Sequence, residues 1–337
     1  MGTGYPRRPV FSWALYDWAN SAFATTVMAG FFPVFFKQYW SAGTDVHVST
    51  FHLGSANALA SSVVAVLAPI LGSMADQGGA RKRFLLCFCA LGVMATGLLF
   101  FAQKGAWVTA AVLYVLAIIG FAGGNVFYDS LIVAVAPRAR LDSVSALGYS
   151  LGYLGGGLLF LMNVFMTLRP HYFGLSDASE AVRVSFLAVA LWWAVFSVPL
   201  ALFVREARAP GPIQRRSILG GSFDQLVTTF REIRRYRTVF LFLVGYWLYI
   251  DGVDTVILMA VDYGLSLGFH YTVLIKALLI TQFVGFPAAI LFGKIGEGIG
   301  TRAGIFIGLG VYVGVAFWGY MMEREAEFYV LSVGLLV

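Results

Sequence analysis

Residues 12–36, SWALYDWANSAFATTVMAGFFPVFF, form an apolar run of bilayer-crossing length interrupted by one carboxylate, Asp17. A carboxylate at the centre of a spanning helix costs about 2.5–3.5 kcal/mol on insertion scales, so a chain that keeps one there uses it. The pattern returns in residues 246–261, YWLYIDGVDTVILMAV, where Asp251 and Asp254 occupy the places of Asp17 and Asn20. Both pairs are spaced i, i+3, so each shares one helix face. A tyrosine precedes each pair, Tyr16 in one case and Tyr249 in the other. Two related halves, each with a polar notch in a spanning helix, are the pattern of a transporter with internal pseudo-symmetry.

Composition agrees. Hydrophobic residues make up 59% of the chain and charged residues 12%, about half the ~25% of soluble proteins. The 38 Gly and 30 Phe suit helices packed closely on one another and on lipid. The net charge of +6 is explained by loop arginines facing anionic lipid, and no nucleic-acid partner is expected. Cys87 and Cys89 have no His or Cys cluster around them, so neither a disulfide nor a metal site is expected. The first apolar run is too long for a cleavable leader. No Ser/His/Asp set, metal-ligand set or phosphate-binding Gly-rich loop is found, so the chain does not read as an enzyme and no cofactor is expected.

Apolar runs fall at 12–36, 52–75, 84–102, 107–131, 144–168, 184–204, 239–262, 271–293 and 303–321, with a further run opening at Phe328. Each of the nine is long enough for a hydrocarbon core ~30 Å thick. With the N-terminus inside, seventeen of the 23 Lys and Arg fall in inner loops, five in outer loops and one, Lys276, within a span. That asymmetry predicts a cytoplasmic N-terminus and a multi-pass protein of a cytoplasmic membrane. His47, His52, His171 and His270 then lie outside, as wet-loop residues. The domain reading is a first half over 1–204, a cytoplasmic basic loop over 205–237 and a partial second half over 238–337. Within that loop FDQLVTTFREIRRYR puts Phe223, Leu226, Val227, Phe230 and Ile233 on one stripe, as in a helix lying among headgroups; a regulatory partner is the alternative.

A second repeat lies in loops. Gly72, Asp76, Gly79 and Arg81 of GSMADQGGARKR align at one constant offset with Gly293, Glu297, Gly300 and Arg302 of GKIGEGIGTR. Such a loop is either a tight charged turn that fixes topology or a latch between the two halves. The Gly-x-x-x-Asp-x-x-Gly pattern followed by bases resembles the signature loop of the major facilitator superfamily. LYDWANSAF, VFYDSLI, SALGYSLGYLGGGLLF and LYIDGVDTVI further resemble the vacuolar amino-acid effluxer (autophagy-related permease) family and its bacterial relatives. The resemblance implies an all-α bundle of two pseudo-symmetric six-helix halves. It also implies a central cavity worked by alternating access, and a sequence that ends within helix 10. Ala80 stands where the superfamily loop has its first base, so Arg81, with Lys82, must serve. A base of that loop is expected to pair with an acid low on helix 4, which makes Asp129 a gating latch.

Rise along the helix sets depths. Asp254 and Lys276 each fall ~22 Å above the inner face by that measure, so Lys276 either pairs with Asp254 or snorkels to the outer headgroups. Asp251 falls near the midplane and Asp17 nearer the inner face. The candidate substrate and coupling-ion set is Asp17, Asn20, Asp251, Asp254, Lys276 and Gln282. Gly148, Gly152 and Gly156 at four-residue spacing predict a smooth face for close helix packing. The expected function is secondary active transport of a small polar solute, with amino acids implied by the resemblance. Coupling to a proton or cation and a monomeric state are also expected. A non-transporting membrane sensor or accessory protein is the alternative.

Overall fold

The computed structural model describes residues 7–78, 80–206, 231 and 236–334. Among the described residues ten helices of ten residues or more follow one another: α1 Arg7–Trp40, α2 Val46–Gly78, α3 Arg81–Leu98, α4 Trp107–Ser130, α5 Leu141–Leu168, α6 Ala178–Phe203, α7 Arg237–Ser266, α8 Tyr271–Ile299, α9 Thr301–Met321 and α10 Glu325–Gly334. Nine of these, α1 to α9, are long and apolar enough to cross a membrane. No strand occurs among the described residues. Hydrocarbon offers no partner to a backbone N–H or C=O, so an apolar chain of this kind satisfies them within helices. Prolines inside α2, α6 and α8 (Pro69, Pro199, Pro287) are carried within those helices.

Local signals set the helix ends. The Asp177 carboxylate accepts from the Glu180 N–H at 2.8 Å, and Glu180 accepts from the Ser176 N–H at 2.7 Å, which closes the start of α6. Gly300 turns the chain between α8 and α9 with φ +83°, a conformation that a side chain would resist. The α2–α3, α4–α5 and α8–α9 turns lie at one end of the bundle, called here the arginine-rich end.

Two apolar clusters organise the packing. The larger draws its buried residues from α1 to α6, with Ile275 of α8. The smaller joins α7, α8, α9 and α10 around Val261, Leu274, Val315 and Phe328. Helices in lipid gain little from apolar contact alone, so small residues let them approach. At the α3–α4 crossing a Cβ on Gly120 would lie 2.5 Å from Gly92 Cα and 2.7 Å from the Phe88 carbonyl. Between the two sets, α5 meets α8. A Cβ on Gly157 would lie 2.8 Å from Gln282 Cβ, one on Gly285 2.7 Å from the Tyr153 ring, and one on Gly293 2.9 Å from Ala146 Cβ.

Backbone against backbone leaves no side chain to rotate away. Gly120→Ala should therefore destabilise the protein by about 1–3 kcal/mol. Gly97→Ala is the control, because its Cβ would meet Ala190 Cβ at an ordinary 3.5 Å. Thermal melting in detergent should show a lowered Tm for the first variant and an unchanged or raised Tm for the second. Equal melting of Gly120→Ala and wild type would show that α3 and α4 part without cost.

Candidate functional site between the two helix sets

The site is built on α1. Asp17, Ser21 and Thr25 recur at four-residue spacing, and α5 presents a glycine to each. A Cβ on Gly148 would lie 3.2 Å from Asp17 Oδ2, one on Gly152 2.6 Å from Ser21 Oγ, and one on Gly156 2.7 Å from Thr25 Oγ1. The glycine row thus opens room for three polar side chains of the facing helix. Below it, Trp13 stacks on Tyr128 at 4.3 Å and donates from Nε1 to the Tyr128 carbonyl at 3.0 Å, which fixes α1 against α4. Asn20 is buried and donates from Nδ2 to Asn125 Oδ1 at 2.6 Å.

Above Asp17 the helices enclose a cavity of about 230 Å³. Ser21, Thr25 and Ala29 of α1 line it, with Tyr149 and Tyr153 of α5. The other set contributes Ile257 and Val261 of α7, Leu274 and Gln282 of α8, Tyr312 of α9, and Phe328 and Ser332 of α10.

The end opposite the arginine-rich one is closed by charge. Lys37 of α1 and Asp262 of α7 form an ion pair at 2.8 Å, with side chains 9% and 1% exposed. Lys37 also donates to Ser266 Oγ at 3.2 Å and to the Asp262 carbonyl at 3.4 Å. Asp262 follows the cavity residue Val261 directly, so the pair ties α1 to α7 beside the cavity. Asn57 of α2 reaches Met259 Sδ of α7 at 3.6 Å on the same side.

At the arginine-rich end, Glu206 accepts from the backbone N–H of Arg81 at 2.9 Å and of Lys82 at 3.3 Å, capping α3. In return Lys82 Nζ donates to the carbonyls of Ala201 at 2.8 Å and Val204 at 2.9 Å, capping α6. Acid at a helix start and base at a helix end both suit the helix dipole. Arg81 Nη1 donates to the carbonyl of Ser130, the neighbour of Asp129, at 3.2 Å.

Residues 41–335 match the family described as "Vacuole effluxer Atg22 like". The MFS-type transporter YxiO of Bacillus subtilis is 36% identical over 324 residues, which cover 95% of this chain and 75% of that protein. The chain belongs to the Atg22-like family. It is thereby a membrane transporter of the major facilitator superfamily and not an enzyme. Autophagy-related protein 22 of Coccidioides immitis is 20% identical over 74% of this chain, which spans 58% of that protein's length. Two solved structures share the fold. The xylose transporter XylE of E. coli, partially occluded and inward open, aligns with 99% of this chain and 84% of its own (TM-score 0.58, 11% identity). A bacterial homologue of the lysosomal transporter Spinster, inward-facing, aligns with 100% of this chain and 73% of its own (TM-score 0.58, 16% identity).

In this Atg22-like chain the candidate residues part company. Asp17 is half-buried at the α1–α5 contact, one turn from Ser21, and within electrostatic reach of Asp129. Gln282 lines the cavity. Asp251 and Asp254 are exposed on α7 and outside the cavity lining, although Asp254 lies within electrostatic reach of Tyr312. Lys276 is exposed on α8, and the structure does not pair it with Asp254. The depth argument places both along the bilayer normal but says nothing of which way each helix turns its face. The buried pair is Lys37–Asp262 instead. Asp129 is exposed at the corner where Arg81 docks. The contacts of Arg81 and Lys82 to Ser130, Ala201, Val204 and Glu206 lie within the α1–α6 set and do not bridge the two sets. A Cβ on Gly72 would meet nothing within 4 Å among the described residues. Gly79, the side chains of Asp76, Glu297 and Arg302, and most of 205–237 fall outside the described residues.

Sequence reasoning missed Asn125, Asp262 and Glu206. Each had a signal: an amide within a span, an acid on the last residue of one, and an acid just past another. Asn125→Leu should strip the buried Asn20 amide of its partner, at a cost of about 1–3 kcal/mol. The double variant with Asn20→Leu should be less damaged than the sum of the singles, by about 1 kcal/mol. Melting curves of the four proteins check this; strict additivity would show that the 2.6 Å contact contributes nothing.

Proposed function

We propose that the chain works as a secondary active transporter that moves a small polar solute through the central cavity by alternating access. One observation carries this reading: a cavity lies between two helix sets, with a buried ion pair that joins the sets beside it. The loop charges make the arginine-rich end cytoplasmic, so the Lys37–Asp262 pair is the outer closure. The halves 1–204 and 238–337 rock about the α5–α8 contact, with 205–237 as the link between them. Asp129, beside the Arg81 anchor, tunes closure of the cytoplasmic end. The family description adds efflux as the direction and the resemblance adds amino acids as a first class to assay. A carboxylate within a span, at the edge of the cavity and without a base beside it, suits Asp17 to carry the coupling proton or cation.

Breaking a buried pair from one side leaves an uncompensated charge, which costs about 3–5 kcal/mol. Asp262→Asn should therefore open the outer end. In a protein with Cys87 and Cys89 replaced and Ala29→Cys introduced, an impermeant thiol reagent applied outside should react at least about tenfold faster once Asp262→Asn is added. The charge swap Lys37→Asp with Asp262→Lys should return the rate toward the parent. An unchanged rate in Asp262→Asn would remove the pair from the gate.

Flux in proteoliposomes tests transport itself and separates it from a sensing role. Asp17→Asn should abolish gradient-driven accumulation while exchange between preloaded vesicles persists. Loss of both together would make Asp17 a solute contact. Normal accumulation at equal expression would leave it neither role.

A further inference from the structure

We propose that the end of the bundle opposite the arginine-rich one holds a phospholipid whose headgroup carries a primary ammonium, a phosphatidylethanolamine, with one acyl chain seated between the two helix sets. The site is a second cavity, of about 200 Å³, formed where four helices begin or finish. It takes α1 from Phe31 to Gln38, the last two residues of α5, and the opening turns of α6 and α8. The first three helices belong to one set and α8 to the other, so the cavity straddles the joint. Tyr172 and Tyr271 stand at this level, 77% and 42% exposed, as tyrosines do where headgroups begin. Polarity in the lining is graded with depth. Gln38, Thr167 and Ser179 lie in the outermost turns, and Phe31, Val34, Phe35, Val182 and Ile275 lie about one to two turns deeper. A phospholipid has the same gradient where its glycerol esters give way to its chains. An apolar recess stays dry, so the deep part suits hydrocarbon and not water.

The rim supplies partners for the headgroup. Arg169 directly follows the lining residue Leu168, Asp177 directly precedes the lining residue Ala178, and both are exposed. The other charged side chains nearby are engaged elsewhere. Lys37 pairs with Asp262 at 2.8 Å, Arg183 donates to the Phe100 carbonyl at 2.8 Å, and Glu180 accepts from the Ser176 N–H at 2.7 Å. Asp177 Oδ1 accepts from the Glu180 N–H at 2.8 Å, and the second oxygen of that carboxylate can accept from a ligand. A guanidinium and a carboxylate at one rim match a phosphate and an ammonium. A choline headgroup has no N–H to give Asp177, and a glycerol headgroup has no positive charge. An acyl chain touching α1, α5 and α6 on one side and α8 on the other is favoured by this arrangement of the sets and loses contacts when they part. The lipid therefore holds the outer end closed. That consequence rests on the transport reading above; the site itself does not.

The test varies headgroup and chain separately. Purified full-length protein in detergent is titrated with palmitoyl-oleoyl phosphatidylethanolamine, phosphatidylcholine and phosphatidylglycerol, and with glycerophosphoethanolamine, which has the headgroup and no chains. Binding is read by the shift in Tm. The ethanolamine lipid should bind at least about fivefold more tightly than the other two lipids, and glycerophosphoethanolamine should give no shift. Asp177→Asn keeps a capping side chain on α6 and should bring the ethanolamine lipid level with the choline lipid. Arg169→Gln should weaken all three lipids. Ala178→Trp, at the exposed start of α6, should fill the mouth and remove the shift while the ligand-free protein melts as wild type; Ser179→Phe is the second filling variant. Equal affinity for the three lipids, glycerophosphoethanolamine binding as tightly as the lipid, or a shift indifferent to both filling variants overturns the site. In the Ala29→Cys protein described above, vesicles of the ethanolamine lipid should slow labelling from outside severalfold relative to the choline lipid. Selective binding with an unchanged labelling rate overturns the hold on the outer end and leaves the site standing. Slowed labelling in a protein that moves no solute supports both and removes transport.

Discussion

In hydrocarbon a helix gains little by trading lipid for the apolar side of another helix, and the close contacts of this bundle reflect that constraint. Attraction has to come from dispersion at very short range or from polar groups that lipid cannot satisfy. The α3–α4 crossing uses the first route, with Gly92 and Gly120 bringing two backbones together. The join between the two helix sets uses both. Gly157 and Gly285 seat α5 on α8, and Lys37 and Asp262 tie α1 to α7 where neither charge could stand alone. Between α1, α5 and the second set a cavity persists, its walls carrying hydroxyls, an amide and hydrocarbon.

The charged groups divide by depth into two kinds of work. At the arginine-rich end they complete helix termini, as Glu206 does for α3 and Lys82 for α6. These are contacts within one set, and they tie the ends of its helices together. The Lys37–Asp262 pair links the sets and is almost dry, so its loss is costly while it remains buried. A bundle with one set tied together at its base, and joined to the other through the α5–α8 contact and the Lys37–Asp262 pair, concentrates change of shape at the interface between them.

Much of this was legible in the sequence. Span number, order and approximate ends follow from hydropathy and length, because the bilayer imposes one thickness on every crossing. The glycine row of α5 was legible because four-residue spacing marks one face. What the sequence withheld is rotation about each helix axis. Asp251 and Asp254 repeat the notch of Asp17 and Asn20 in sequence, yet they lie exposed on α7 while Asn20 is buried against Asn125. Lys276 and Asp254 share a depth and not a direction. The Lys37–Asp262 pair joins residues far apart in the chain, and only the docking of α1 on α7 reveals it. Arg81 and Lys82 read from the sequence as latch residues; their partner Glu206 lies beyond a helix that nothing local connects to them.

The match between α1 and α5 has a consequence for how this chain can change over time. Gly148 opposes Asp17, Gly152 opposes Ser21 and Gly156 opposes Thr25, and in each case the space absent from one helix is filled by the other. The quantity conserved at each level is then the summed volume of the two residues and not the identity of either. A larger residue on α5 is admissible where α1 has surrendered its polar group, so the polar groups of the first helix and the fit of the bundle are inherited together, and relatives with bulkier fifth helices should carry poorer, more apolar first ones.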